Sequence, residues 1–270
     1  MIYAFSTGKA PSMGADYWTR NATKDFYGTK CQNITLRISE LKTEINRLLM
    51  TLNRDEKGIE MIMQMIKKCQ ERDRECIQWS KNLPRYFQWK TVAWESSVPN
   101  GDYARSETFP GRLDAFQDIW VASVWSTLRC SRIVLAALIV RAAAWTCAPV
   151  DYRTTPEYAA YSRVGTELVT DLVASIPYQL GWFAKRKELL DRADLTSYCC
   201  GEDDAPKGLA GYFVTWPLSC ILTQDYSTDD QRTWVRGRLH YVADVLGVRY
   251  AKMLTQVSWG EKQRSTGNSC

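Results

Sequence analysis

Histidine is almost missing from this chain of 270 residues, where His240 stands alone. One imidazole argues against a structural zinc site, and a histidine-based triad would need an acid and a nucleophile that sequence cannot place beside it. The nine cysteines, Cys31, Cys69, Cys76, Cys130, Cys147, Cys199, Cys200, Cys220 and Cys270, include no C-x-x-C pair, and the nearest thing to a ligand pair is Cys69 with Cys76. An odd count without a regular framework, set mostly in apolar helical patterns, reads as free thiols in a reducing, intracellular compartment. No metal and no cofactor is expected. A basic n-region followed by an apolar stretch is absent from MIYAFSTGKAPSMGADYW, so no secretory signal is read and the sequons at Asn21 and Asn33 are expected to stay unmodified. Long apolar runs are also scarce. The run from Ile133 to Val140 is cut by Arg141 and preceded by Arg129 and Arg132, short of the roughly 18 residues a membrane span needs. A net charge of +5, from 35 basic and 30 acidic residues, is spread along the chain and forms no dense basic patch of the kind nucleic acid selects. Alternating strand patterns are missing too.

What remains is helical. The chain is 45% apolar and 12% aromatic, enough for a sizeable core. The organising stretch is Gly111 to Cys147, where Leu113, Phe116, Trp120, Val124, Leu128, Leu135, Leu138, Ala142 and Trp145 recur at gaps of mostly three or four. That spacing predicts one long helix, apolar nearly all round from Ile133, which must be enclosed by others. Residues 1–30 lack any period and are expected to be poorly ordered. Ile34, Ile38, Leu41, Ile45, Leu48 and Leu52 give a seam that could serve a dimer, but Asn53-Arg54-Asp55 and Gly58 read as a turn into a second helix through Ile62, Ile66 and Cys69. This second helix should stop before Leu83-Pro84. An irregular connection over 84–110 is expected to be pinned by Trp89 and Trp94. Pro149 ends the long helix, and Thr154-Thr155-Pro156-Glu157 starts the next, with Pro177 breaking or kinking it. Residues 197–204 read as a surface loop and Leu209 to Gln224 as a buried apolar helix. Ser227-Thr228-Asp229-Asp230 caps a helix that Gly247 stops, and a short helix from Val248 to Val257 follows. The class is all-α, a multi-helix array of antiparallel helices around a long central helix. It occupies 31–257, and 258–270 is a polar tail.

The chemical inventory is thin. Ser6-Thr7-Gly8-Lys9 and Ser39-Glu40-Leu41-Lys42 fit S-x-x-K, yet no S-D-N or K-T-G element accompanies them, and the second is placed on a solvated face. His240 reads as a partly buried, hydrogen-bonded side chain. Asp203-Asp204 and Asp229-Asp230 are explained by loop and cap positions, and Lys185-Arg186-Lys187 by a solvated charge run. No catalytic, cofactor-binding or metal residue is assigned, and no enzyme is read.

Several stretches together carry a resemblance. The run from Cys69 to Pro84, continuing to Phe87-Gln88-Trp89, resembles a segment of the C-terminal regulatory domain of fungal zinc-cluster transcription factors. Asp118 to Trp125 with Leu128-Arg129-Cys130-Ser131-Arg132-Ile133 is similar to that domain's W-x-A-x-x-W-x-x-x-R-x-x-R helix. Ala174 to Gly181, Ala210 to Leu218 and Trp234 to Leu254 follow in the family's order. The resemblance covers roughly 31–257. It implies a nuclear, helical regulatory domain that works through protein partners, with effector response a further option and a homodimer left open. The zinc cluster itself, built on C-x-x-C-x6-C, is absent, since Cys69 and Cys76 are isolated within a helix. DNA would be reached only through a partner or an upstream cluster. In the family this domain usually begins further upstream than residue 31, and an incomplete array would expose apolar faces, implying a partner, instability or self-association. Two rival readings are a truncated copy with no independent activity and an enzyme gathering His240 and buried acids in a pocket of the bundle.

Overall fold

A computed structural model describes residues 26–195 and 204–255. The expected poorly ordered segment 1–30 falls mostly outside them, as do the surface loop 197–204 and the polar tail 258–270. The chain divides into two units, Met1–Pro84 with Thr127–Leu168 and Arg85–Ser126 with Val169–Cys270. The all-α class holds, with one small two-stranded sheet.

In the first unit α1 (Phe26–Thr51) buries Cys31, Ile34, Ile38, Leu41, Ile45 and Leu48 at gaps of three and four, the face its sequence marks. Four residues later α2 (Glu56–Lys81) begins, its first turn capped by Asp55, whose carboxylate accepts from the Gly58 amide at 2.8 Å. The two helices pack on each other, and so short a turn makes them antiparallel. A Cβ on Gly58 would sit 2.1 Å from the Asn53 carbonyl oxygen, so the turn needs glycine there. Helix α3 (Ile119–Cys147) adds its 127–147 portion, with Ile133, Leu135, Ala136 and Ile139 wholly buried. Although α3 is long and apolar enough to cross a membrane by length and composition, 56% of its most apolar window is buried in the protein, as in a core helix. Helix α4 (Pro156–Gln179) opens on Thr155, whose hydroxyl accepts from the Tyr158 amide at 3.2 Å.

The second unit holds the sheet, which helical spacing concealed. Strands β1 (Lys90–Glu95) and β2 (Gly111–Ala115) pair antiparallel, with a bulge between Thr91 and Ala93. Leu113 and Phe116 are fully buried, but on a strand and its exit rather than on the long helix expected from Gly111. The helix starts only after Asp118, which caps the Val121 amide at 2.8 Å. Three-residue gaps between apolar positions fit a helix, and here they also joined a strand residue to the turn that follows it. Trp94 does not pin this segment to the core, being 74% exposed; the Trp125 indole does, donating to the Phe87 carbonyl at 2.7 Å. Helix α4 runs through Pro177 to Gln179 without a break near Ser175, Pro177 costing it one intrahelical hydrogen bond two residues before its end. Gly181 then turns the chain at φ 84°, into a 3₁₀ turn (Trp182–Lys185) and α5 (Lys187–Arg192). Helix α6 (Asp204–Leu222) packs on α7 (Asp229–Asp244), which opens on a capping box between Thr228 and Gln231. A further helical stretch covers 249–255.

Candidate functional site

The cleft of interest lies within the second unit, has a volume of about 380 Å³, and is walled by the end of α4, the 3₁₀ turn, α6 and α7. Apolar and aromatic surface comes from Pro177, Leu180, Trp182, Ala210, Tyr241 and Leu246, and charge from Glu107, Lys185, Arg186 and Arg238.

Arg238 is the unusual member. Its neighbours on α7, Trp234, Val235, Leu239 and Val242, are wholly buried, and the period of the helix carries Arg238 to the same face at 6% exposure. One guanidinium nitrogen, Nη2, donates to the Arg105 carbonyl at 3.1 Å, whereas Nε is buried without a partner. The side chain lies 5.5 Å from the centre of the Tyr241 ring. Burial lowers its pKa, against the opposing influence of Glu107 and Tyr241. Glu107 itself is exposed at the rim. Gly237 explains how the chain at 104–105 comes so near. A Cβ there would lie 1.8 Å from the Ala104 carbonyl oxygen, so only glycine admits the approach.

Gln179 supplies a second incomplete group. Its amide nitrogen donates to Ser126 Oγ at 3.0 Å, and its carbonyl oxygen is buried without a partner. Arg186 stacks on Trp182, 4.1 Å from the ring centre, and donates to the Trp182 carbonyl at 2.8 Å. The cleft thus combines a desolvated cation, an unmatched amide and aromatic faces. This arrangement can bind an anion; it offers no paired acid and base.

Other charged clusters are closed by comparison. In the first unit Asp73 accepts from Arg132 Nε at 2.6 Å and Nη2 at 3.3 Å, a bidentate pair. Cys69 and Cys31 lie in this unit's core, and burial pushes both thiols up to about 12, with Cys76 raised as well. Such thiols are inert packing groups at neutral pH. In the second unit the fully buried Asp114 accepts from Thr91 at 2.8 Å and from Arg112 at 3.1 Å, while Arg112 also bonds Asp171 and stacks 5.0 Å from the Trp89 ring.

Several residues singled out by their chemistry in the sequence stand elsewhere than expected. His240 is exposed, not partly buried, with Nδ1 3.9 Å from Asp244. Ser39 is buried and donates to the Leu36 carbonyl at 2.7 Å, so it is not on a solvated face. Arg186 of the basic run is drawn into the cleft by its stack on Trp182. Asp229 and Asp230 occupy the first turn of α7 as expected. Ser6, Lys9 and Asp203 lie outside the described residues. Among the described residues no group of three or more histidine, cysteine or carboxylate side chains could hold a metal, and Cys31, Cys69, Cys76, Cys130, Cys147 and Cys220 are free thiols. Sequence reasoning missed Arg238 and Gln179. The available signal was a charged residue at i+4 from Trp234, on the apolar face of its helix.

No protein-family profile matches this chain. No solved structure matches it either. Over 197 residues it is 32% identical to a protein named "Transcription factor dbaG" from Emericella nidulans, an alignment covering 71% of this chain and 43% of that protein. The chain therefore spans less than half the length of the curated relative it matches.

Proposed function

We propose that this chain is a helical regulatory domain of a transcription regulator, acting in the nucleus through protein contacts and responding to occupancy of the cleft walled by α4, α6 and α7. The observation that carries this reading is the 197-residue likeness to a protein named a transcription factor. The ordered motif blocks from Cys69 to Leu254 support it, as does a cleft furnished for binding rather than for acid–base chemistry. Reading of DNA is assigned to another segment or a partner, because the C-x-x-C-x6-C pattern is not in these residues.

The test is to fuse the full chain to a heterologous DNA-binding module and measure a reporter carrying that module's site. Output should shift up or down from that of the module alone. A soluble, nuclear fusion whose output equals the module's overturns the proposal.

A further inference from the structure

We infer that the cleft is a site for a small organic monoanion, a carboxylate carried on an aromatic or otherwise planar apolar body, with Arg238 as its charge partner and Gln179 as its neutral one. This deepens the proposed function by naming what occupies the responsive site, and it rests on that reading only for its consequence in transcription.

A guanidinium taken out of water is tolerated when carboxylates and hydrogen-bond acceptors surround it, as they do at Arg132 and Arg112. Arg238 is buried as deeply as Asp73, both at 6% exposure, yet among the described residues it has one carbonyl acceptor and no carboxylate within ion-pair distance. A bound carboxylate would supply the missing acceptors in the planar geometry that a guanidinium matches best. Gln179 is equally incomplete, and its unmatched carbonyl oxygen calls for a donor, which a hydroxyl or ring N–H on the ligand would provide.

A monoanion suits the one cation that is buried. The lining carries Lys185, Arg186 and Arg238 against Glu107, and of the three cations Lys185 is exposed and Arg186 half-buried on Trp182, so Arg238 alone is a buried charge for the ligand to answer. The rest of the lining is mixed, and its apolar part, with Tyr241, Leu180 and Leu246 among it, gives a flat apolar body a wall to lie against. At about 380 Å³ the space fits a small metabolite rather than a peptide.

The probe pair is naphthalene-2-carboxylate and its neutral isostere naphthalene-2-carboxamide, titrated calorimetrically into the full chain at low salt. The carboxylate should bind about tenfold or more tightly than the amide, as expected of hydrogen bonds to charged groups. Arg238→Gln should abolish that preference while Glu107→Gln, which removes the negative charge at the rim, should strengthen carboxylate binding more than amide binding. Equal binding of the two probes, a preference that survives Arg238→Gln, or no effect of Glu107→Gln overturns the site. If Arg238→Gln does not fold, Glu107→Gln decides. An active reporter fusion together with equal probe binding overturns the anion site alone, whereas a silent fusion with carboxylate-selective binding overturns the regulatory reading alone.

Discussion

Two arginines set on apolar helices, Arg132 half-buried and Arg238 buried, have opposite surroundings. Arg132 on α3 meets both oxygens of Asp73, a carboxylate that is itself buried, and the pair closes on itself within the first unit. Arg238 on α7 meets one backbone carbonyl and leaves Nε unmatched in the second unit. Neither burial is explained by hydrophobicity. The difference lies in who completes the charge: Arg132 is completed by its own chain and holds two helices in register, whereas Arg238 borders a cleft and awaits an acceptor from outside. A buried charge that is already answered is architecture. One that is not is the better marker of a site.

The largest expected effect comes from breaking the answered pair. Asp73→Ala leaves the half-buried Arg132 guanidinium without its carboxylate and should cost up to about 3–5 kcal/mol in urea denaturation. Replacing both members together, by Asp73→Leu with Arg132→Met, should recover most of that loss, because the stranded charge goes with its partner. If Asp73→Ala costs less than about 1 kcal/mol, Arg132 reaches water or another acceptor and is no staple.

An intermediate effect is expected where the cleft's wall depends on backbone approach. Gly237→Ala would set a Cβ 1.8 Å from the Ala104 carbonyl oxygen and 2.9 Å from its Cα, and neither atom belongs to a flexible side chain. The chain at 104–105 must retreat. That stretches the Arg238 bond to the Arg105 carbonyl and the edge-on contact of Phe109 with Trp234, now 6.0 Å between ring centres. A loss of about 1–3 kcal/mol in thermal melting is expected, the range for overpacked positions. No loss would mean that the segment over α7 is slack and that Arg238 is less fixed than its burial implies.

How legible this was in the sequence depended on the kind of signal. The faces of α1 and α2, the caps at Thr155 and Thr228 and the stop near Gly247 were all readable, since local chemistry decides them. The sheet was not, because Leu113 and Phe116 continue the helical spacing of α3 by accident and the pairing of Lys90 with Ala115 is non-local. Pro177 was read as a break or a kink because its missing donor is visible in sequence, whereas the continuation of the helix to Gln179 is not. The cleft was least legible. His240 drew notice by rarity and is a surface residue, while Arg238, two positions earlier, looked like one arginine among many. What distinguishes it is the company of Trp234 and Leu239 on its helix and of the Arg105 carbonyl, and the last of these comes from a segment more than a hundred residues away.

The smallest expected effect is also the sharpest test of the contrast. Arg238→Met keeps a long apolar stem against Trp234 and Tyr241 and removes the guanidinium. The loss is the hydrogen bond to Arg105, worth about 1.5–3 kcal/mol for a charged donor. The gain is relief from burying a cation that no carboxylate answers, a desolvation that already pulls its pKa down. These oppose each other, so stability should change by less than about 1 kcal/mol, against up to about 3–5 expected at Asp73. The comparison is cleanest in the unliganded protein, by urea denaturation under one set of conditions. Should Arg238→Met cost as much as Asp73→Ala, the arginine serves the fold and the cleft loses its charged anchor. If stability holds while carboxylate binding disappears, burial of this cation is a feature of the site, maintained against the small cost it imposes on the empty fold.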